Sequence, residues 1–205
     1  MTHETKKLDR RTVIGSAISF GFFAGIAPSV ALALTEAASK ALVDKIVGEI
    51  NRVIASGKSE SAMIGEFERI FARYADVPII ARSALGADSR RASQAQLRAF
   101  SGAFQGYVAR KYGKRFREFI GGEIQVLGVR KTKNYHEVDA TVFLRGESPF
   151  EVLFLVYERG GKNLFFDMVI EGVSMRIVER TEIGSMLDAN NGDIDRLINA
   201  VQRAG

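Results

Sequence analysis

Leu164-Phe165-Phe166-Asp167-Met168-Val169-Ile170-Glu171-Gly172-Val173-Ser174 is the stretch on which the reading of this chain turns. Residues 164–170 are aromatic, branched or long and apolar, apart from Asp167, and that composition describes a strand. Glu171-Gly172 interrupts it, because glycine takes backbone angles that a strand residue avoids. From Val173 the apolar spacing becomes helical and continues to Leu187. A strand, a break and a helix in so short a span place sheet and helix in one unit.

Working outward, the order of elements is plain. Residues 35–55 carry Leu42, Ile46, Val47, Ile50, Val53 and Ile54 at helical spacing, with Gly57 as a stop. A second helix over 60–74 puts Met63, Ile64, Phe67, Ile70 and Phe71 on one face. Asp76-Val77-Pro78 opens a short third helix that Gly86 ends. Ser93 with Gln96 three residues on makes a capping box for the longest helix, along which run Leu97, Phe100, Phe104, Tyr107, Val108 and Tyr112. At Gly121-Gly122 the period turns to alternation. Four strands are predicted, over 123–129, 137–145, 150–159 and 163–170, and the short turn-rich links at 145–149 and 159–162 favour antiparallel hairpins. Helices over 173–187 and 193–203 close the chain. Helices, then strands, then helices describe an α+β fold with helices packed on one face of an antiparallel sheet of about four strands.

The N-terminus reads as an export signal. Lys6, Lys7, Arg10 and Arg11 form a basic start, an apolar run covers 13–27, and Pro28 leads into Ala31-Leu32-Ala33, an A-x-A site for signal peptidase. The apolar core of about 15 residues is short of the roughly 20 that span a bilayer. Arg10-Arg11 followed by Thr12-Val13-Ile14 is similar to a twin-arginine signal; the other readings are an ordinary secretory signal with two adjacent arginines and, less favoured, an uncleaved membrane anchor. The expected organisation is a signal over 1–33 and one domain over 34–205.

Composition excludes several function classes. With 0 cysteines, the chain has no thiol to acylate, no disulfide framework and no thiolate metal site. Of 2 histidines, His3 falls in the signal, and His136 sits in Lys131-Thr-Lys-Asn-Tyr-His-Glu137, which reads as an exposed hairpin connection. Residues 1–33 hold four basic and two acidic side chains, so the formal charge of +5 falls to +3 for residues 34–205, too little to argue for nucleic acid. No P-loop or dinucleotide fingerprint is present. Asp167 and Glu171 do not form a convincing acid/base pair. No cofactor or metal is expected.

Asp167-Met-Val-Ile-Glu-Gly-Val-Ser174 resembles the signature of the MlaC family, periplasmic phospholipid carriers also called toluene-tolerance proteins, which serve an inner-membrane ABC transporter. The resemblance extends over the expected mature chain. Residues 71–86, ending in Ala81-Arg-Ser-Ala-Leu85-Gly86, resemble a second family block, and Phe100, Phe104 and Tyr112 resemble its long aromatic helix. One departure is the absence of tryptophan after Leu85-Gly86, where this chain has Ala87-Asp88-Ser89-Arg90.

The resemblance implies a strongly curved sheet wrapped by helices, related to the nuclear transport factor 2-like fold, with a hydrophobic cavity. It implies a carrier that moves phospholipid between an outer-membrane lipoprotein complex and an inner-membrane ABC transporter with its own substrate-binding subunit. Such a carrier maintains lipid asymmetry and performs no catalysis. A hopanoid or other isoprenoid-lipid carrier is an alternative within the class, and a periplasmic enzyme using the same pocket is one outside it; the single remaining histidine counts against the enzyme.

Two phospholipid tails hold roughly 30 CH₂ groups at about 0.8 kcal/mol each, a gross burial of about 25 kcal/mol that largely replaces burial in a membrane. The cavity is expected near about 1,000 Å³. The strand over 150–159 is apolar on both faces, Phe154 and Val156 alternating with Leu153, Leu155 and Tyr157. Phe166, Met168 and Ile170 are expected on one face of the last strand, and Val142 and Leu144 on one face of the second. The candidate lipid-binding set is Phe104, Val108, Tyr112, Val142, Leu144, Phe154, Val156, Phe166, Met168, Ile170 and Val173. Each is equally at home in an ordinary core; only the resemblance turns them towards a cavity. Arg110, Lys111, Lys114, Arg115 and Arg117 are the densest charge and the candidate partner-docking cluster.

Overall fold

The computed structural model describes residues 34–205. The expected signal, with Arg10-Arg11 and Ala31-Leu32-Ala33, lies outside the described residues, as do the side chains of Phe116 and Arg117.

Each helix starts where the sequence offers an oxygen for its free N–H groups. Thr35 caps α1 (Glu36–Ile54), Ser59 caps α2 (Glu60–Tyr74), and Asp76 caps α3 (Val77–Leu85) with Pro78 in the first turn. In α4 (Gln94–Gly113) Ser93 Oγ accepts from Gln96 N at 3.1 Å, and Ser93 N donates to Gln96 Oε1 at 3.0 Å. Gly113 lets α4 approach α2 closely, since a Cβ there would sit 2.8 Å from Ile64 Cγ1.

The sheet is antiparallel and unclosed, in the order β1 (Glu123–Lys131), β2 (His136–Phe143), β3 (Phe150–Arg159), β4 (Lys162–Ile170) and β5 (Val173–Ser174). It has five strands rather than the four expected, and the helix after it, α5 (Met175–Ala189), begins at Met175 rather than Val173. The reason lies in the Glu171-Gly172 break. Both residues have positive φ, 49° and 78°, which makes a two-residue hairpin that sets Val173 against Ile170. Helix α6 (Ile194–Arg203) follows, capped by Asp193.

Val138, Ala140 and Val142 of β2, Val152, Phe154 and Val156 of β3, and Phe165 of β4 are buried on one sheet face. Against them pack Val43, Ile46 and Ile50 of α1 and Phe67 and Phe71 of α2; Phe165 meets Phe71 at 6.0 Å and Phe154 edge-on at 5.8 Å. Helix α4 packs on α2, α3 and α6. The other face of β3, Leu153, Leu155 and Tyr157, is only half-buried.

A bulge between Leu155 and Val156 corrects the expected face of the last strand. One extra residue on β4 there shifts the alternation. Phe165, Met168 and Ile170 face the core, whereas Phe166 crosses to the opposite face, where it meets Tyr157 at 4.9 Å and Tyr135 at 5.5 Å. His136 is a second correction. It is buried, 2% exposed, and shares a 2.8 Å hydrogen bond between Nδ1 and Ser39 Oγ of α1. As the first residue of β2 it takes the buried phase of that strand rather than belonging to the turn before it.

Candidate functional site

An apolar recess of about 480 Å³ opens at the end of the core where β3 begins and α4 ends. The sheet supplies Ile124, Val142, Phe150, Val152, Phe154, Met168 and Ile170; the helices supply Ile50, Phe67 and Tyr112; Leu144 and Phe119 come from the connections. Arg115, Glu147, Ser148 and Glu171 ring the opening. Several wall residues, Ile124, Phe150, Met168 and Ile170 among them, are only partly buried although they touch the core. The volume is about half of the roughly 1,000 Å³ expected for two acyl tails.

Six of the eleven expected lining residues meet here: Tyr112, Val142, Leu144, Phe154, Met168 and Ile170. Phe104, Val108 and Val156 are packed inside the core at 0%, 1% and 0% exposure. Phe166 lies on the other sheet face, and Val173 is 54% exposed beyond the turn. Ile50, Phe67, Phe119, Ile124, Phe150 and Val152 line the recess without having been expected to. Ile50 and Phe67 sit on clear helical stripes, and periodicity reports which face is buried, not whether the buried face meets another side chain or a void.

Behind the recess lie polar clasps. Asp167, 2% exposed, accepts from Ser174 Oγ at 2.6 Å, Met168 N at 2.9 Å and Arg176 N at 3.1 Å. Arg176 Nε lies 3.2 Å from Asp167 Oδ2, a charge contact without hydrogen-bond alignment. The carboxylate thus sits on the N-terminus of α5, where the helix dipole favours it. Glu171 holds the turn: its Oε1 accepts from Glu151 N at 2.7 Å, and its N donates to Glu151 O at 3.1 Å. Asp167 and Glu171 therefore do separate structural jobs, one buried in the strand and one exposed in the turn. The signature stretch is a strand–turn–helix joint.

A second clasp reaches the recess through Tyr112. Its hydroxyl donates to Glu179 Oε1 at 2.7 Å, and Lys111 Nζ donates to the same oxygen at 2.8 Å. Glu179 is fully buried, and its Oε2 has no partner. Lys111 also pairs with Glu182 at 2.7 Å, and Tyr107 donates to Glu182 Oε2. Burial, then the Glu179 charge and hydrogen bond, push the Tyr112 hydroxyl far above the ordinary phenol range, so it stays a donor. Burial also works to raise the Glu182 carboxyl, but the bonds from Lys111 and Tyr107 outweigh it and hold it below its ordinary value.

The expected docking cluster is largely engaged inside the fold. Arg110 caps the end of α6, donating to Ala204 O at 2.8 Å and to Val201 O and Gln202 O at 3.0 Å. Lys111 belongs to the Glu179 clasp. Lys114 donates to Gly205 O at 2.6 Å, and Arg115 pairs with Glu118 at 3.1 Å at the recess mouth. Lys114 and Arg115 remain exposed. Among the described residues no cluster of His, Cys, Asp and Glu is arranged to hold a metal, and no helix is long and apolar enough to cross a membrane.

The site is thus an apolar recess between a helix-wrapped antiparallel sheet and the ends of its helices. The family model for the MlaC protein matches residues 40–203, and the chain belongs to the MlaC family. Among solved structures, the phospholipid-binding protein from Ralstonia solanacearum, in complex with a phospholipid, is similar in fold, with a TM-score of 0.69 at 16% sequence identity over 80% of this chain and 94% of that one. No curated protein matches the sequence.

Proposed function

We propose that this protein binds phospholipid by its acyl chains in the recess and carries it across the periplasm. The carriage would run between an outer-membrane lipoprotein complex and an inner-membrane ABC transporter with its substrate-binding subunit, with no covalent change to the cargo and no enzymatic step. The observation that supports the reading is an apolar recess with half-buried walls in a member of the MlaC family, whose fold is shared by a protein solved with a phospholipid. A cleaved signal over residues 1–33 fits delivery to that compartment. Apolar walls at the mouth of a hydrophobic core favour acyl chains, and gross burial of about 25 kcal/mol against a similar gain in a membrane leaves transfer near neutral, as a carrier that must release requires. At about 480 Å³ the recess must widen between sheet and helices to admit a second tail.

Organic-solvent extraction of the purified protein, followed by mass spectrometry, tests the reading. Phospholipid is expected at up to about one molecule per chain, the limit set by one recess of ordinary ligand size. Isoprenoid lipid in the extract would move the cargo to the hopanoid class. Delipidated protein that takes up nothing from phospholipid vesicles would end the carrier reading.

A further inference from the structure

Two cations without a side-chain partner among the described residues, Arg82 and Arg98, border a groove other than the recess. Between α3 and α4 runs a groove of about 430 Å³ bordered by Arg82, Arg98 and Arg159, with no carboxylate in its lining. Arg159 is neutralised at 2.7 Å by the buried Asp76, but Arg82 and Arg98 are exposed and have no side-chain partner among the described residues. The contrast with the cleft between α1 and α2 is direct. There Arg73 pairs with Glu49, and Lys58 and Arg69 with Glu66, so three of the four cations lining that cleft meet a carboxylate, and the fourth, Arg52, donates to Gly48 O.

The groove also has the shape to take a helix. Gln94, Leu97, Arg98, Ser101, Gly102 and Gln105 fall at the spacing of one stripe along α4, and Pro78 and Arg82 are one turn apart on α3. Its floor is apolar, with Phe100 and Val77 buried beneath half-buried Leu97. A Cβ added at Gly102 would meet nothing within 4 Å, so the middle of the stripe is open. Tyr112 of the recess lies fifteen positions from Leu97 on α4, about 22 Å along the helix, so an occupant of the groove leaves the recess mouth uncovered.

We infer that the α3–α4 groove docks an acidic amphipathic helix of a partner protein, its apolar side chains on Leu97 and the floor and its carboxylates on Arg82 and Arg98. A flat bilayer would meet the two arginines but not the floor, and a free anion would leave the floor wet. Helix-in-groove recognition uses both features. Flanking charge sets orientation and encounter rate more than affinity, and salt weakens it.

The experiment titrates the purified exported protein with a fluorescent peptide of roughly 15 residues, a length at which helix begins to hold in water, built from leucine, alanine and glutamate. The same peptide with lysine for glutamate, phosphatidylglycerol vesicles and inorganic phosphate are the comparison probes. The glutamate peptide is expected to bind, R82E/R98E to weaken it at least about tenfold, and R82K/R98K to stay within about threefold, since lysine keeps the charge but loses the planar fork. Gly102→Leu should also weaken the peptide by filling the floor. Lipid bound per chain should be the same in all variants. Equal binding by the lysine peptide, no loss with R82E/R98E, displacement by phosphate alone, preferential binding of the vesicles through the same arginines, or loss of lipid in R82E/R98E would each overturn the inference. Absence of lipid from the wild-type protein would instead sink the proposed cargo and leave the groove standing.

Discussion

The recess and the clasps behind it are built from the same strands on opposite rules. In the recess, Met168 and Ile170 touch the core yet remain partly exposed, and their apolar side chains make no directional bonds. One residue away, Asp167 is 2% exposed and saturated with bonds from Ser174, Met168 and Arg176. Such apolar side chains can shift to fit a flexible ligand at little cost. A buried carboxylate cannot, because each lost bond leaves an unpaired charge. The difference assigns rigidity to the β4–α5 joint and adaptability to the surface it supports.

The sharpest way to break this division is at Asp167. Asp167→Ala removes the carboxylate but leaves Arg176 N, Ser174 and the Arg176 guanidinium beside the gap, and truncating one partner of a buried pair costs about 3–5 kcal/mol. Arg176 is 31% exposed and regains some water, so about 3 kcal/mol is expected from urea unfolding. Asp167→Asn should recover part of the loss. A cost below about 1 kcal/mol would mean that the joint is held by packing alone, since a single neutral hydrogen bond is worth that much.

The sequence shows why the joint was legible and the recess less so. The Ser93–Gln96 capping box, Asp76-Val77-Pro78, the stop at Gly86 and the Gly-Gly break before β1 marked these boundaries, because such signals are local. The two-residue β5 was hidden, since a hairpin that short leaves no period to read and Val173 fits the helical pattern as well as the strand. The bulge that turned Phe166 over was equally silent in Leu164-Phe165-Phe166, an apolar run that suits either face. Phe104, Val108 and Val156 share a period with Tyr112 and Phe154, so the family resemblance that turned the set towards a cavity took them with it, yet three-dimensional contact buries them completely. The opposite error at His136 has the same root: polarity suggested a surface turn, and a partner 97 residues away in Ser39 made burial tolerable.

Phe166 and Met168 sharpen the comparison from the other side. Phe166→Ala removes contacts with Tyr135, Tyr157 and the Arg176 guanidinium, which lies 5.2 Å from its ring centre. Half-burial scales the usual cost of a phenylalanine truncation to about 2 kcal/mol, and bound lipid should not change. Met168→Glu should do the reverse. The half-buried position lets the charge reach water, so a folded protein is expected, but a carboxylate among acyl chains should lower lipid per chain by roughly fivefold or more. Mass spectrometry of extracts beside thermal unfolding of both variants would separate the two. Lipid loss in Phe166→Ala with full loading of Met168→Glu would reverse the assignment of the two sheet faces.

The smallest effect belongs to the clasp at the far end of β3. Tyr157 donates to Asp76 Oδ2, which also pairs with Arg159 at 2.7 Å and caps α3. Burial first, and then the hydrogen bond and charge of Asp76, push the Tyr157 hydroxyl from 10.0 up to about 12, against the opposing pull of Arg159. The folded protein therefore holds this proton between pH 10 and 12 while the unfolded chain releases it, and stability must fall with rising pH across that window. The contribution is complete below pH 10 and gone once pH has risen through about 12. With solvent reaching the half-buried ring, it should amount to about 1 kcal/mol. Subtracting the urea stability of Tyr157→Phe from that of the wild type cancels the lysines and the other tyrosines. The difference should be flat from pH 7 to about 9.5 and shrink towards pH 11.5, where the wild-type tyrosine is losing what phenylalanine never had. A difference that stays constant through that range would show that the α3 cap holds without the phenol, leaving Arg159 and the Ile79 N–H to fix Asp76 on their own.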